Sequence, residues 1–401
     1  MATTYLTHTP NSTGNRRTWT MSVWFKISAN TESMNIMGCG GSSDQNHIQV
    51  ETDEVTVRHY NGSANDIRLN STRKIRDNNA WYHLVVRMDT TQSTEADRLR
   101  IYLNEEQLTD FDNAVYPSQN YDWDFMQNGV TQYIGRQGSA NSNHWNGLLS
   151  HFHWCDGYSY APTEFGETDA TTGEWKIKTS PSVNYGTNGF LILKDGNTIT
   201  DQSSNSNNWS LGAGTLTKTE DCPSNVFATF NPLDNYYASS TFSYGNTKVV
   251  TDSSKYAATL TTLGASSGKF YAEFKLTDAG RGFPQVGIKG KHPTSNADGI
   301  GSGADSIAYY GYNGKKVIGG VETTYGDTYT TNDIIGVAMD LDNNRLFFSK
   351  NGTWQNSGDP TSSTGAITIP TSSTGFYFMG VDDEDNAGTN DWQVNFGNGY
   401  F

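Results

Sequence analysis

The sequence is poor in charge and has no long apolar run. Charged residues make up 17% of the 401 residues, against about 25% in an average globular domain. The formal net charge is −15 at pH 7, and a negative chain repels both phosphate backbones and anionic lipids. We therefore expect no nucleic-acid binding. No window approaches the roughly 18 apolar residues of a membrane helix, so we expect no membrane insertion.

Cysteine is scarce as well. The three cysteines, Cys39, Cys155 and Cys222, are too few and too scattered for a disulfide framework or a cysteine-based zinc site. The first ten residues lack the basic and apolar regions of a secretion signal, which predicts synthesis in a reducing cytoplasm. The first strand pattern begins by Trp19, so we expect no long N-terminal stalk.

Helical periodicity is nearly absent, whereas aromatic residues reach 12% and glycine numbers 41. Short β-branched and aromatic runs recur instead, bounded by Asn, Gly, Asp or Ser. This pattern is typical of sandwiches and barrels, so the sequence predicts an all-β fold. The predicted strands include Trp19–Ile27, Glu51–Tyr60, Trp81–Met88, Leu99–Leu103, Gln132–Gly135, Leu148–Cys155, Phe190–Leu193, Lys269–Leu276, Ile334–Leu341 and Arg345–Ser349.

The composition divides the chain into three stretches. Residues 1–165 and 223–401 are dense in strand patterns, whereas 166–222 are rich in Thr, Ser, Asn and Gly. A structureless loop of about 50 residues would be unusual, so we expect this connector to pack partly on a neighbour. The predicted architecture is two consecutive antiparallel β-sandwiches.

The first stretch has five motifs in order: Trp19-Thr-Met-Ser-Val-Trp-Phe-Lys26, Trp81-Tyr-His-Leu84, Leu99-Arg-Ile-Tyr-Leu-Asn104, Tyr133-Ile-Gly135 and Gly147-Leu-Leu-Ser-His-Phe152. Their succession resembles the laminin-G-like, concanavalin A-type lectin domain over about 150 residues. The resemblance implies a jelly-roll sandwich. Glu105 departs from the family pattern, because it stands where the family has the glycine of the hairpin turn.

The last stretch resembles a SPRY domain over residues 225–401. The motifs are Lys269-Phe-Tyr-Ala-Glu-Phe274, Val286-Gly-Ile288, Ile334-Ile-Gly-Val-Ala-Met-Asp-Leu-Asp342, Arg345-Leu-Phe-Phe348 and Val394-Asn-Phe-Gly397. Asn343 and Asn344 predict a two-residue hairpin turn, and Asn351-Gly352 predicts a second turn. Asn332 replaces the glycine that the family has before Asp333. The resemblance implies a second sandwich whose variable loops bind partners.

The two domains in this order, with the opening Tyr5-Leu-Thr-His-Thr-Pro10 and the bridge Asn225–Leu233, resemble structural proteins of marine bacteriophages. That resemblance implies a virion surface protein, a tail fibre, knob or head appendage that attaches to host or environmental glycans. The implied partners are other virion proteins and a homo-oligomer, for which a trimer is our hypothesis. The alternative is a decoration protein that binds only other virion subunits.

A glycoside hydrolase needs two carboxylates about 5–9 Å apart, here on one face of a sheet. The nearest candidates are Glu164-Phe-Gly-Glu-Thr-Asp169 and Asp382-Asp-Glu-Asp385, and neither lies in a long alternating strand. We interpret both as turns and predict no catalytic residues. A glycoside hydrolase remains the less favoured alternative.

The sequence predicts no metal site and no cofactor. His151 and His153 alternate on one predicted strand, but no third ligand lies nearby, so we expect Phe152 and Trp154 to face the core and the histidines the other side. The acidic turns at Asp340-Leu-Asp342 and at Asp382–Asp385 have the oxygen ligands that calcium prefers. Calcium is therefore the cation that the sequence would accommodate.

Glycan sites in sandwich lectins combine an aromatic ring with polar side chains on loops. The first stretch has two such loops, Tyr121–Phe125 and Asn141–Asn146, and the SPRY-like stretch has Asp278–Phe283, His292–Gly303 and Tyr325–Thr331. The alternative is that these rings pack beneath their own loops. The candidate ligand-binding residues are Tyr121, Trp123, Asn143, Trp145, Arg281, Phe283 and Tyr325.

Overall fold

The computed structural model describes residues 3–28, 32–78, 80–170, 173–194, 196, 198–253, 256–281, 283–383 and 388–397. The chain forms two compact units, Met1–Val226 and Phe227–Phe401. Strands make up 44% and helix 3%, which confirms the predicted all-β class. Helix α1 has four residues, Glu95–Arg98. Within the described ranges, no helix has the length and apolarity that a membrane crossing requires.

The first unit contains strands β1 to β16. In chain order they are Tyr5–His8, Thr18–Ile27, Ser33–Gly40, Gln45–Glu51, Glu54–Tyr60, Asn65–Lys74, Tyr82–Asp89, Leu99–Leu103, Glu106–Leu108, Phe111–Val115, Gln132–Ile134, Gly147–Asp156, Gly166–Thr168, Trp175–Ile177, Phe190–Ile192 and Ser210–Ala213.

Two large antiparallel sheets form the sandwich of this unit, and β13 and β14 form a separate two-stranded sheet. The strand orders of the two large sheets are β10-β6-β5-β4-β3-β11-β1-β16 and β15-β12-β2-β7-β8-β9. Because successive side chains of a strand point to opposite faces, Trp19, Met21, Val23 and Phe25 of β2 all enter one core. Residues of both sheets share that core, as the predicted sandwich requires.

The connector 166–222 is built into the first unit. Strand β15 pairs with β12, and β16 pairs with the N-terminal strand β1. The connector also contacts the face of β12 that points away from the main core, where the Tyr185 hydroxyl is 2.8 Å from Nδ1 of His153. The Ser/Thr/Asn-rich composition therefore conceals edge strands of both sheets.

The second unit contains strands β17 to β30. In chain order they are Thr241–Ser243, Lys248–Val250, Thr259–Leu260, Lys269–Asp278, Pro284–Lys289, Ser306–Tyr310, Lys315–Ile318, Val321–Thr324, Ile334–Asp340, Arg345–Lys350, Thr353–Trp354, Ile367–Thr368, Phe378–Asp383 and Asp391–Asn395. They form an eight-stranded sheet, β17-β18-β30-β20-β25-β26-β27 with β28 beside β26, and a six-stranded sheet, β19-β29-β21-β22-β23-β24. Both contribute to one core.

Two turns test the local predictions. Asn351 and Gly352 form a two-residue turn with φ of 49° and 83°, since Lys350 pairs with Thr353. The predicted two-residue turn at Asn343-Asn344 is wrong: Asp340 pairs directly with Arg345, so the loop has four residues. Asp340 holds that longer loop by accepting a hydrogen bond of 3.1 Å from the Asn343 N–H.

Candidate functional site

A cleft of about 500 Å³ opens on the six-stranded sheet of the second unit. Period-two alternation builds its floor, because Val286 of β21 and Val381 of β29 enter the core while Gln285 and Asp382, their neighbours in sequence, face the cleft. The apolar alternation of these strands thus places two buried polar side chains at the floor of the cleft.

The loop after β21 forms one wall of the cleft. Lys289, whose side chain is fully buried, holds the loop through Asp298 Oδ1 at 2.6 Å and the Gly299 carbonyl at 3.2 Å. The Ile300 N–H donates to Asp382 Oδ2 at 2.9 Å. These buried bonds fix the backbone of residues 298–300 against the floor.

Aromatic rings form the opposite wall. The Phe283 and Tyr312 rings meet edge to face with centroids 4.5 Å apart, and the Tyr310 ring lies 5.8 Å from that of Tyr312. Phe283 and Tyr312 are 37% and 42% exposed. Their faces are therefore available to a ligand.

The polar floor carries little charge. Burial raises the pKa of the Asp382 carboxyl well above its usual range, which favours the neutral acid. Gln285 is buried, and its Oε1 has no hydrogen-bond partner among the described residues. An uncharged floor of this kind suits hydroxyl groups better than ions.

The structure brings two of the predicted SPRY loops together at this cleft. Phe283 ends the first loop, and residues 297–302 belong to the second. Arg281 is exposed and is not among the residues that line the cleft. Tyr325 is 5% exposed, and its hydroxyl accepts the Phe348 N–H at 3.0 Å, so it is a core side chain.

The candidates of the first unit are mostly covered. Trp123 is fully buried and Trp145 is 7% exposed, because their rings pack on Trp19 and Phe25 of β2 at 5.7 Å and 5.6 Å between centroids. The prediction that these two rings face a ligand is therefore corrected. Asn143 lies in the segment between β11 and β12 and donates from Nδ2 to Gln137 Oε1 at 3.1 Å.

Tyr121 belongs to a hydrogen-bonded cluster that the sequence did not reveal. Its hydroxyl bonds to His59 Nδ1 and lies 3.2 Å from Asp66 Oδ2. His59, Asp44 and Asp124 place potential metal-ligating atoms within 4.8 Å of one another. The cluster already has internal partners, since His59 Nε2 lies 2.8 Å from Asp44 Oδ1 and Arg16 pairs with Asp124.

The other predicted acidic and histidine positions serve the fold. The Asp342 carboxylate accepts the Gly268 N–H at 2.7 Å. Asp382 and Asp383 are buried, while residues 384 and 385 lie outside the described ranges. A β-bulge between Ser150 and His153 interrupts the alternation of β12, and His151 has φ of 48° there.

Comparisons with known proteins agree with this two-part architecture. Residues 1–164 match the family described as the concanavalin A-like lectin/glucanases superfamily, and residues 269–366 match the SPRY domain. The chain carries a concanavalin A-like domain followed by a SPRY domain. The SPRY match contains Phe283, Gln285, Tyr310 and Tyr312 of the cleft.

Among curated proteins, the chain is 34% identical over 90 residues to Ran-binding protein 9 of Homo sapiens and Ran-binding protein 10 of Danio rerio. That stretch is 22% of this chain and only 12% and 15% of those two proteins. Among solved structures, a human SPRY domain is 20% identical with a TM-score of 0.29, covering 38% of this chain and 93% of that one. The Limulus polyphemus SAP-like pentraxin is 17% identical with a TM-score of 0.29, covering 40% and 72%.

Sequence reasoning found Phe283 but missed Gln285, Tyr310 and Tyr312. It interpreted Asp382 as part of an acidic turn, which is wrong, because Asp382 lies on β29. The missed residues lie on strands or directly after them, where polar or aromatic positions look like ordinary outward-facing residues. A signal was present in the β21 motif, because Gln285 and Lys289 alternate with Val286 and Ile288.

Proposed function

We propose that this protein is a non-enzymatic adhesion protein that binds a glycan in the cleft of its second unit. The observation that supports this best is the cleft's composition: the exposed Phe283 and Tyr312 rings beside the Gln285 amide, whose Oε1 has no partner among the described residues. Aromatic rings bind the apolar face of a sugar, and amide or carboxyl groups bind its hydroxyls. A cleft of this size is within the range of small-molecule sites.

The acids of the cleft argue against hydrolysis. A glycosidase needs one carboxylic acid and one carboxylate, both free to reach the substrate. Both oxygens of Asp382 accept backbone N–H groups, from Ile300 and Asp383. Glu322, at the rim, is paired with Lys315 at 2.8 Å.

The proposal places the protein on a virion, as a fibre, knob or appendage with other virion proteins as partners. Its support is the resemblance of the whole chain to phage structural proteins. Peptide mass spectrometry of purified particles tests the location, and mass photometry of the purified chain tests the trimer. Absence from the particle or a monomeric mass would contradict the respective proposal.

A second function, a decoration protein that binds only other virion subunits, is favoured by a different surface. Tyr271 of β20 is 50% exposed, and its ring contacts that of Trp354 with centroids 6.3 Å apart. Apolar surface on a sheet face suits a protein partner.

A glycan array separates the two functions. We expect the intact chain to bind a defined set of glycans, and Phe283→Ala to lose at least tenfold in signal because the ring wall is removed. Leu263→Ala is the matched control, since Leu263 is 61% exposed in the same unit and does not line the cleft. No bound glycan at high protein concentration would contradict adhesion, and equal losses in both variants would contradict the site.

A further inference from the structure

One side of the cleft in the second unit is aliphatic. It is lined by Ala297, Ile300 and Gly301 of the loop after β21 and by Val317 of β23, and Ile300 and Val317 belong to one apolar cluster. We call these four residues the aliphatic recess. Their side chains neither donate nor accept hydrogen bonds, so a sugar hydroxyl placed against them would lose its water without gaining a partner. The recess therefore suits an apolar group of the ligand.

Glycine keeps the recess open. Gly301 has φ of 89°, in the left-handed region that glycine favours. A Cβ at this position would lie 3.1 Å from the Cβ atoms of Val317 and Ala308, so a side chain there would fill the space in front of Val317. The recess exists because Gly301 has no side chain.

The strand register places Gln285 between the recess and the aromatic wall. Two residues after Gln285 on β21, Gly287 pairs with Ala308, and Ala308 pairs with Val317 of the recess. Two residues before Gln285, directly ahead of the strand, Phe283 belongs to the aromatic wall. Residues two apart on an extended chain point to the same face. The cleft therefore presents aromatic rings, then the Gln285 amide, then the aliphatic recess, in that order.

Gln285 supplies an acceptor that has no donor. Its side chain lines the cleft and is 2% exposed, and Oε1 has no hydrogen-bond partner among the described residues. A buried acceptor without a donor is unfavourable. A ligand N–H or O–H at the floor of the cleft would supply the missing bond.

The lining of the cleft favours an uncharged ligand. Lys, Arg and His are absent from the described residues that line it, so an acidic sugar would find no cation there. Of the two acids, Glu322 is already paired with Lys315 at 2.8 Å. Burial raises the pKa of the other, Asp382, well above its usual range. A positively charged sugar would therefore find no free carboxylate either.

We infer that the cleft selects a glycan that contains an N-acetylated amino sugar. The sugar ring lies on the Phe283 and Tyr312 wall, the acetamido N–H donates to Gln285 Oε1, and the acetamido methyl group occupies the aliphatic recess. In a trans amide the N–H and this methyl group lie on the same side, so one uncharged substituent reaches both the acceptor and the recess. This inference rests on the proposed glycan-binding function of the same cleft and names its ligand class.

Isothermal titration calorimetry of the intact chain tests the ligand class with trisaccharides that share one β-1,4-linked backbone. At C2 they carry an acetamido group (the N-acetylglucosamine trimer), a hydroxyl (the glucose trimer) or an ammonium group (the glucosamine trimer). We expect the acetylated trimer to bind about tenfold tighter than the other two or better, because only it provides both the donor and the methyl group. N-acetylgalactosamine and galactose oligomers give the same comparison with the other common hexose configuration.

Gln285→Met tests the acceptor, because it removes the amide and keeps a side chain of similar length. Binding of the acetylated ligand should weaken about tenfold. Gln393→Met is the matched control, since Gln393 lies on β30 of the other sheet and does not line the cleft; it should stay within about twofold of the wild type. Thermal unfolding shows whether each variant is folded, and the comparison of trisaccharides on the wild-type chain does not depend on either variant.

The outcomes separate this inference from the function on which it rests. Equal or weaker binding of the acetylated oligomers in both sugar series would overturn the ligand class and leave glycan binding standing. Unchanged affinity in a folded Gln285→Met variant would overturn the role of the acceptor. If none of these oligomers binds while the glycan array shows another glycan, the inference fails and the proposed function stands. No bound glycan of any kind would overturn both.

Discussion

Lys26 Nζ lies 2.9 Å from Asp221 Oδ2, and each side chain is only 1% exposed. Lys26 is on β2, on the face opposite the main core, whereas Asp221 lies near the end of the connector, 195 residues later. The Trp81 indole N–H donates to the other Asp221 oxygen at 3.0 Å. A buried ion pair therefore closes the end of the connector onto the sheet.

We predict that Lys26→Met destabilises the first unit by about 3–5 kcal/mol, because Asp221 would remain as a buried charge without its cation. The double variant Lys26→Met with Asp221→Leu should recover most of that loss, since an apolar pair needs no counter-charge. Chemical unfolding measures both. Equal destabilisation in the single and double variants would contradict the assignment.

The close approach at Gly299 predicts a position that tolerates no side chain. An added Cβ would lie 2.3 Å from Asp382 Oδ2 and 2.6 Å from the Tyr256 carbonyl oxygen. Gly299→Ala should cost about 1–3 kcal/mol and weaken glycan binding in the cleft. Gly303→Ala is the control in the same loop, where the nearest atom is 3.5 Å away. Thermal unfolding and the glycan array give the two readouts.

Stability should fall on mild acidification because of His83. Its ring is fully buried, stacked on Trp24 at 4.8 Å, and burial lowers its pKa from 6.5 to about 3. The unfolded chain thus takes up a proton below pH 6.5 that the folded chain does not. The proton uptake of His83 on unfolding therefore lowers the free energy of unfolding by about 1.4 kcal/mol per pH unit as the pH falls from 6.5 towards 3.

His83→Gln tests this dependence. We expect lower stability at neutral pH, because the bonds to Ser22 and Trp175 are disturbed, but a shallower fall between pH 6.5 and 4.5. An unchanged slope in pH-dependent unfolding would show that other groups cause it.

The burial of Tyr325 predicts a structural role. Tyr325→Phe removes the acceptor of the Phe348 N–H and should cost about 1–3 kcal/mol with no change in glycan binding. Tyr312→Ala should show the reverse, a loss of binding with a small change in stability, since Tyr312 is 42% exposed. A loss of glycan binding in Tyr325→Phe would contradict the structural role and show that Tyr325 contributes to the ligand site.

The sequence predicted the sandwich class because strand alternation and turn residues are local signals, and the resemblance to two families gave the order of the two domains. Which aromatic side chains of the loops are buried could not be predicted from the sequence. Trp123 and Phe283 both lie in polar, aromatic-containing segments, yet one packs against Trp19 and the other is exposed. That difference depends on which distant strand lies beneath each loop.

The register of the strand pairing could not be predicted from the sequence either. Arg58 and Arg68 face each other only because the β5–β6 pairing shifts between His59 and Tyr60 and again between Glu54 and Thr56. A β5–β6 ladder without these register shifts would not have placed the two arginines opposite each other. The pairing of these two arginines therefore follows from two local irregularities that the residue pattern does not predict.

The pairing of β16 with β1 has a consequence for biosynthesis. The N-terminal strand cannot gain this neighbour until residues 210–213 have left the ribosome, so almost the whole first unit must be synthesised before its larger sheet is complete. A chain cut after residue 165 would display the backbone of Tyr5–His8 to other molecules, and edges of that kind recruit further copies into aggregates.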